Sequence, residues 1–243
     1  MTPNLFEGKN CLITGATGGL GLELSKEFAK LGCNLFLIST NEKKLQRQQK
    51  YLLTLNKNRT IIYQVSDLRN INDLKKIISK AKKNFKVVDI LINCAGVFPQ
   101  GDLTKSTLKD FEDCISINLK APFFLIKEFS KGMKQRKWGR IINIGSSSSY
   151  EGFEDTSIYC ASKHGLLGLS RSVYKELRVH NVRTFCISPG SIKTQMGRKV
   201  KSDFKSFIDP HELSQLIVNI TSYDNEMISE EIQINRINGT KQH

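Results

Sequence analysis

The chain has 243 residues, of which 39% are hydrophobic and 25% are charged, with 17 glycines and 5 prolines. This length can bury an ample core without cross-links, and the composition excludes collagen-like, low-complexity and disordered proteins. No apolar run approaches the roughly 18 residues of a membrane span, and residues 1–8 lack the basic and apolar pattern of a signal peptide. We therefore expect a cytoplasmic globular protein.

The net charge is unusually high. There are 37 Lys and Arg residues against 23 Asp and Glu residues, giving +14, and the basic residues concentrate in stretches such as 75–86 and 127–140. Such a surplus favours acidic or polyanionic partners, but it is equally typical of solvated lysines on the polar faces of helices. No nucleic-acid-binding motif is present, so we expect no specific nucleic acid partner.

The six cysteines are scattered and form no C-x-x-C pair, and none clusters with the four histidines. This pattern indicates reduced cysteines within the core and predicts no metal site.

Short apolar runs alternate along the chain with segments of helical period, such as Leu20, Leu24, Phe28 and Leu31. Asn41 and Asn70 precede two of these segments and are predicted N-caps. Near-continuously apolar strands separated by helices predict an α/β protein: one domain, 1–243, with a doubly wound parallel sheet of about seven strands (a Rossmann fold) and helices on both faces. The predicted strands are residues 11–13, 35–38, 61–65, 87–92, 141–144, 182–187 and 232–234.

In such a sheet, ligands bind beyond the carboxyl ends of the strands. The turn after the first predicted strand reads Thr14-Gly-Ala-Thr-Gly-Gly-Leu-Gly21 and opens an amphipathic helix. Its glycines allow the backbone to approach a diphosphate, which the amides and the dipole of the helix N-terminus attract. The turn therefore predicts a dinucleotide site that includes Gly15, Thr17, Gly18, Gly19, Leu20 and Gly21.

The spacing T-G-x-x-x-G-x-G resembles that of the short-chain dehydrogenase/reductase family, and further motifs follow in the family's order. Each could alone be a turn or a helix cap, so their joint occurrence at strand ends is what carries the resemblance. The Asn93 to Gly96 segment has Cys94 where the family has a second asparagine. The resemblance implies further cofactor-binding residues: Asp67 and Leu68 near the adenine, then Asn93, Ala95 and Gly96, and finally Pro189, Gly190, Ile192 and Thr194 near the nicotinamide.

Tyr159 and Lys163 lie one turn apart on one face of a predicted helix. A free phenol has a pKa near 10, so proton donation near neutrality needs a cation that stabilises the phenolate. A lysine ammonium about 4 Å away contributes about 4 kcal/mol at an effective dielectric constant of 20, which is about the size required. Ser146 follows a predicted strand, as the family's catalytic serine does, with Ser148 as a second candidate polar group.

These residues suggest a mechanism for carbonyl reduction. Tyr159 would protonate the substrate oxygen while a reduced nicotinamide delivers hydride, and Ser146 would donate a hydrogen bond to that oxygen. The resemblance implies that Lys163 also binds the nicotinamide ribose, so that Tyr159 and Lys163 belong to the cofactor site as well. It further implies that Asn118 anchors a water that links Lys163 to solvent.

The end of the second predicted strand bears on the choice of cofactor. An NAD-preferring protein usually has an acid there, which accepts from the ribose 2′-hydroxyl and repels a 2′-phosphate. Ser39, Thr40 and Asn41, the predicted cofactor-binding residues here, include no acid, but the arginine of many NADP-dependent relatives is also missing. Hydroxyls, backbone amides and Lys43 or Lys44 are left to meet the phosphate. The sequence favours NADP over NAD.

The substrate is less constrained. Phe98, Tyr150, Phe153 and Met196 are candidate pocket residues or core residues, and a basic lid is expected within 195–222, with Arg198, Lys199, Lys201 and Lys205. The general resemblance is to the family's 3-oxoacyl-carrier-protein reductases, whose acidic partner could dock on Lys134, Arg136, Lys137, Arg178 and His180.

The alternatives left open are reduction of a sugar or other small ketone with NAD(H), and a cofactor-binding sensor or scaffold without turnover. The family also implies a homodimer or homotetramer, formed through the long predicted helices 110–134 and 157–180.

Overall fold

The computed structural model describes residues 5–200, 203–226, 228 and 230–237. Its centre is a sheet of seven parallel strands in the order β3-β2-β1-β4-β5-β6-β7, which confirms the predicted fold class. The strands are β1 (Asn10–Thr14), β2 (Asn34–Ser39), β3 (Ile61–Val65), β4 (Ile90–Asn93), β5 (Gly139–Ile144), β6 (Val182–Pro189) and β7 (Glu231–Ile234).

Helices cover both faces of the sheet. Alternate residues of each strand point to opposite faces, so that Cys11 and Ile13 of β1 pack under one helical layer and Leu12 packs under the other. The first layer is α1, α2 and α7, and the second is α3, α5 and α6. The helices are α1 (Gly19–Lys30), α2 (Glu42–Leu55), α3 (Ile71–Phe85), α4 (Leu108–Ile115), α5 (Ala121–Arg136), α6 (Ser157–Leu177) and α7 (Pro210–Thr221).

Two predicted N-caps are present. The Asn41 side chain accepts a hydrogen bond from the Lys44 amide at 2.9 Å, and the Asn70 side chain accepts from the Asn72 amide at 2.8 Å. Each satisfies an amide at the start of a helix that has no partner within it, α2 in the first case and α3 in the second.

The long helix predicted over 110–134 is interrupted. A π-helical turn over Ser116–Lys120 separates α4 from α5. Pro122 lies in the first turn of α5 and has no N–H to donate to the carbonyl of Asn118, four residues earlier. The interruption places Asn118 in a widened turn, a feature that is frequent at functional sites.

The amino end of β5 holds a fully buried arginine. The Arg140 guanidinium donates to the carbonyl oxygens of Gly139 at 3.0 Å, Thr221 at 3.1 Å and Tyr223 at 3.1 Å, and to the Asp224 carboxylate at 2.7 Å. Burial lowers the pKa of Arg140 to about 10, against the opposing effect of Asp224. The guanidinium is therefore charged at neutral pH, and it ties the segment after α7 to the sheet.

All six cysteines are unpaired thiols. In the described part of the chain, no helix combines the length and the apolarity that a membrane span requires. The same residues contain no cluster of three His, Cys, Asp or Glu side chains arranged to bind a metal ion.

Candidate active site

The glycine-rich turn lies at the carboxyl edge of the sheet, between β1 and α1. Gly15 has φ +66°, and a Cβ there would lie 2.7 Å from the Cα of Ala95, so the turn requires glycine. The hydroxyl of Thr14 accepts hydrogen bonds from the amides of Cys94 at 3.1 Å and Ala95 at 3.2 Å. The ends of β1 and β4 are therefore joined directly beneath the turn.

The N-terminus of α1 is open to a ligand. Its N-cap is Gly18, which has no side chain to accept from the helix amides, and no acidic residue lies in the first turn. A Cβ on Gly19 would lie 2.5 Å from the Thr194 methyl group, so the loop after β6 lies against this turn. Bare amides at a positive dipole end suit a diphosphate, and the residues present therefore fit a dinucleotide.

The loop after β6 is fixed by the strands beside it. The Gly190 amide donates to the Ile234 carbonyl at 2.8 Å, and Ile192 forms an isolated parallel bridge with Ile208. The hydroxyl of Thr194 accepts from the Gly197 amide at 3.1 Å. These contacts hold the predicted nicotinamide loop, which begins at Pro189, beside the glycine-rich turn.

A groove of about 480 Å³ lies between α1 and α2, next to the second strand. At its rim the hydroxyls of Thr17 and Ser39 share a hydrogen bond of 2.6 Å. Thr40 is exposed, and the Asn41 side chain caps α2. The described side chains that line the groove include three cations and no acid: Thr17, Leu22, Lys26, Lys44, Arg47, Gln48 and Tyr51.

Asp67 follows β3 and is bound by a neighbouring arginine. The Arg69 guanidinium donates to both carboxylate oxygens, with the shortest contact at 2.6 Å, and also reaches Asp113 at 3.0 Å. The hydrogen bond from Arg69 lowers the pKa of Asp67 against the opposing effect of burial. Asp67 is therefore an ionised acceptor at the carboxyl edge, and Leu68 beside it is buried.

Asn93 has its side chain inside the sheet. Its amide nitrogen donates to the Asn143 side chain at 2.8 Å, and Asn143 donates to Ser170 of α6 at 2.9 Å. The Asn93 side-chain oxygen is buried and has no hydrogen-bond partner among the described residues. The side chain therefore links β4, β5 and α6, while its predicted role toward the cofactor stays a prediction.

Tyr159 and Lys163 project from α6 toward the end of β5. Lys163 Nζ donates to the Ile144 carbonyl at 2.7 Å and lies 5.6 Å from the centre of the Tyr159 ring. Both side chains are buried, and Phe98 packs edge-on against the tyrosine ring at 4.7 Å between centroids. The ammonium is thus held beside the phenol by a backbone carbonyl.

Ser146 begins a short turn directly after β5. Its oxygen accepts from the Ser148 amide at 3.2 Å, and its own amide donates to the Ser149 hydroxyl at 3.2 Å. Ser148 and Ser149 are buried, whereas Ser146 is partly exposed. Because the oxygen of Ser146 accepts in this turn, its hydrogen is available to donate to a substrate oxygen.

The Asn118 side chain bridges three elements. Its oxygen accepts from the Val97 amide at 2.9 Å, and its nitrogen donates to the Val97 carbonyl at 3.0 Å and to the Ser162 hydroxyl at 3.0 Å. Gly96 packs beside it, because a Cβ there would lie 3.4 Å from the Asn118 oxygen and 3.9 Å from Lys163 Nζ. Asn118 therefore fixes the segment after β4 against α6, next to the lysine.

Of the four residues that the sequence left open between pocket and core, Tyr150 is tied to the last strand. Its hydroxyl donates to the Glu231 carboxylate on β7 at 3.2 Å, so the ring faces the sheet edge and is an anchor. Phe98 contacts Tyr159, while Phe153 and Met196 are 39% and 37% exposed. Tyr150 was ambiguous because its position after the serines does not reveal a partner 81 residues away.

The predicted lid region, 195–222, contains α7, which packs into the core through Leu213 and Ile217. Residues 195–200 and 203–209 are the described part of this region that precedes the helix, and their role as a lid stays a prediction. Arg198 stacks on the ring of Phe204 at 4.7 Å, while Lys201 lies outside the described residues.

The cations proposed to dock an acidic carrier lie away from the site. α5 ends just before β5 begins, so this end of the helix is at the amino edge of the sheet, whereas Ser146 follows the carboxyl end. A strand of six residues separates these edges by about 20 Å at roughly 3.3 Å per residue. The residues at the far edge are Lys134, Arg136, Lys137, Arg178 and His180.

Three groups near the site were not found from the sequence. These are the Ile144 carbonyl that binds Lys163, the Val97 backbone that binds Asn118, and the Glu231 carboxylate that binds Tyr150. Two are backbone atoms and carry no sequence signal. The third lies in the last strand, where only an unusual acidic pair in an apolar run could have drawn attention.

Comparison with known proteins gives consistent results. Residues 9–205 match the family described as short chain dehydrogenase. A 3-oxoacyl-[acyl-carrier-protein] reductase of Rickettsia typhi is 36% identical over 195 residues, covering 80% of this chain and 77% of the relative. The 2-dehydro-3-deoxy-D-gluconate 5-dehydrogenase of Escherichia coli is 31% identical over 199 residues, covering 82% and 77%. A metagenomic short-chain oxidoreductase solved in complex with NADP has a TM-score of 0.84 at 26% identity, covering 96% and 99% of the two chains.

Proposed function

Because the chain belongs to the short-chain dehydrogenase family and is an NAD(P)-dependent oxidoreductase, we propose that it reduces a ketone carbonyl to a secondary alcohol with NADPH. The observation that supports this proposal is the convergence of Tyr159, Lys163 and Ser146 at the carboxyl end of β5. The same edge carries the open glycine-rich turn and α1 N-terminus. Proton donor and nucleotide site thus share one edge of the sheet.

A bound reduced nicotinamide would supply the hydride, and the residues of this chain act on the substrate oxygen. The Tyr159 hydroxyl donates its proton to the carbonyl oxygen as negative charge develops there. Ser146 donates a hydrogen bond to the same oxygen, which stabilises that charge. Lys163, fixed by Ile144, supplies a positive charge that stabilises the phenolate left on Tyr159. Asn118 acts behind them by fixing the segment after β4 against α6.

The preference for NADP rests on the groove between α1 and α2. A 2′-phosphate bound near Thr17 and Ser39 would face Lys44 and Arg47, and no acid among the described lining residues would repel it. Cations of this kind supply the charge-assisted hydrogen bonds that a phosphate needs. The solved relative with NADP, which has the same fold, is consistent with this choice.

The substrates to test first are 3-oxoacyl thioesters, because the Rickettsia relative carries that name. Ketoses and ketoacids are the second class, because the Escherichia coli relative acts on a sugar acid by its name. Phe153 and Met196, which are 39% and 37% exposed, are proposed to contact the substrate, and the segment 195–200 is proposed to cover it.

Self-association through α4 and α5 is also proposed. Leu108 is 82% exposed on α4, with Phe111 on the same helix at 45% and Phe123 on α5 at 51%. Exposed apolar side chains of this size suit a contact with a second copy. Light scattering during gel filtration should give a dimer or tetramer, and a monomer at micromolar concentration would contradict this proposal.

The experiment that tests the function is a screen of NADPH oxidation, followed by absorbance, against both substrate classes. Tyr159→Phe should lower kcat by about 100-fold or more, because general acid catalysis contributes about 10²–10⁴. Tyr174→Phe, on the same helix but away from the site, is the matched control and should retain wild-type turnover. Near-normal turnover by Tyr159→Phe on every substrate, or an inert wild type that binds NADPH, would contradict the proposal.

A further inference from the structure

The turn that carries Ser146 is held from one side by a cluster that the proposed reaction does not use. The turn continues through the 3₁₀ segment Ser147–Ser149 into Tyr150, whose hydroxyl donates to Glu231 of β7 at 3.2 Å. Arg171 of α6 donates two hydrogen bonds to the same carboxylate, of 2.5 and 2.9 Å. The three side chains join the serine turn, the last strand and α6.

The pKa shifts of Tyr150 and Glu231 favour a strong hydrogen bond between them. Burial raises the pKa of Tyr150, and the adjacent Glu231 carboxylate raises it further, so the phenol remains a hydrogen-bond donor. The hydrogen bond from Arg171 lowers the pKa of Glu231 against the effect of burial, which keeps the carboxylate ionised as an acceptor. A donor phenol and an ionised acceptor form a stronger hydrogen bond than two neutral groups.

The cluster connects the two elements that carry the proposed catalytic residues. Tyr150 belongs to the turn of Ser146, and Arg171 belongs to the helix of Tyr159 and Lys163. Tyr150 is four residues after Ser146, and its amide donates to the Ser147 carbonyl at 3.0 Å. Arg171 lies eight residues after Lys163 on the same helix, about 12 Å along its axis at 1.5 Å per residue. In the proposed reaction Ser146 and Tyr159 both donate to the same carbonyl oxygen, so the rate depends on the position of the serine turn relative to α6.

We propose that Glu231 and Tyr150 are positioning residues that set the serine turn relative to α6, so that Ser146 meets the oxygen that Tyr159 protonates. This inference rests on the proposed function. Neither residue lies at the glycine-rich turn or in the groove between α1 and α2, so the effect should fall on kcat and leave NADPH binding unchanged.

The test uses Tyr150→Phe, which removes only the donor atom, in the full-length protein. We expect kcat to fall about tenfold, a typical size for coupled contacts, with an unchanged Kd for NADPH in a fluorescence titration. Glu231→Gln retains an acceptor and should give a smaller loss, whereas Glu231→Ala should match Tyr150→Phe. Glu230→Gln, on the adjacent residue, is the matched control and should behave as wild type.

A double-mutant cycle separates positioning from general destabilisation. In a Ser146→Ala background, Tyr150→Phe should lower the residual kcat by less than about twofold, because the residue through which it acts is gone. An equal loss in both backgrounds, or a wild-type kcat for both Tyr150→Phe and Glu231→Ala, would overturn the inference. An inert wild type would contradict the proposed function instead, so the two failures are distinguishable.

Discussion

A buried cation lies at each end of β5, Arg140 at the amino end and Lys163 at the carboxyl end. The two cations differ in how many of their hydrogen-bond donors have an acceptor. At the amino end, the Arg140 guanidinium binds three carbonyl oxygens and a carboxylate. At the carboxyl end, Lys163 makes one hydrogen bond, to Ile144, within the part of the chain described here. An ammonium has three donors, so Lys163 retains capacity for a ligand or for water.

This difference separates a structural charge from one available for function. A buried cation is costly unless its donors are satisfied by the fold. Arg140 meets that condition within the chain, so its contribution is to hold the segment after α7 in place. Lys163 meets it only in part, and its ammonium lies beside the Tyr159 ring and Gly96. A buried cation whose hydrogen-bond donors are not all used within the fold is thus a useful marker of a ligand-binding site.

The comparison predicts opposite effects when each cation is removed. Lys163→Met should lower kcat about 100-fold or more, because the charge that stabilises the phenolate is lost. The free energy of unfolding, measured by urea denaturation, should change by less than about 1 kcal/mol, because only one hydrogen bond is lost. Lys175→Met, an exposed lysine on the same helix, should change neither quantity. A large loss of stability with kcat retained would break the comparison.

Arg140→Met should lower the free energy of unfolding and leave kcat nearly unchanged. Removing the guanidinium takes away four hydrogen bonds, to three carbonyl oxygens and to Asp224, and this should cost about 3–5 kcal/mol of unfolding free energy even though Asp224 keeps a hydrogen bond from Trp138. Turnover per folded molecule, corrected by active-site titration with NADPH, should remain within about twofold of wild type because the site lies at the other edge. Full stability in this variant would show that the cluster is dispensable.

A third cation, Lys44, extends the comparison to the surface. It is exposed and has no acidic partner among residues 5–200, and it lines the groove between α1 and α2. Lys44→Ala should weaken NADPH binding about tenfold while leaving NADH binding unchanged, with a weaker effect at high salt. Lys50→Ala, an exposed lysine on α2 outside the groove lining, is the control and should bind NADPH as wild type does. Equal losses for both nucleotides would exclude a role for Lys44 at the 2′-phosphate.

The smallest expected effect is the pH dependence of the Arg140 cluster. Burial is the largest single effect and acts to raise the pKa of Asp224, but the hydrogen bond and charge of Arg140, together with hydrogen bonds from Trp138 and Asn181, lower the pKa overall. A carboxyl group with a lowered folded-state pKa contributes stability above its unfolded-state value, near pH 4, and this contribution disappears as the pH falls through the folded-state pKa. The stability difference between wild type and Asp224→Asn should therefore shrink below about pH 4. A constant difference from pH 7 to pH 2 would contradict this linkage.

The sequence was sufficient for features with a local cause. Apolar runs located all seven strands to within a few residues, and Asn41 and Asn70 were predicted as caps because capping depends on the next few amides. The glycine-rich turn and the spacing of Tyr159 and Lys163 are local in the same sense.

Features that depend on distant partners were not predictable. The role of Tyr150 stayed open between pocket and core because its partner is in the last strand. The position of the basic residues at the end of α5 and after α6, at the amino edge of the sheet, likewise follows from the fold and not from local sequence. The interruption between α4 and α5 was missed although Pro122 was visible, since proline in the first turn of a helix is also ordinary.

The strand order has a consequence for biosynthesis. β1 is made first but lies between β2 and β4, and its register with β4 joins residues about 80 apart, as in Cys11 with Ile90. Until β4 emerges from the ribosome, one edge of β1 has no strand to pair with, a situation that favours association between nascent chains. The order of synthesis therefore leaves one edge of the future central strand unpaired until the chain has reached Ile90.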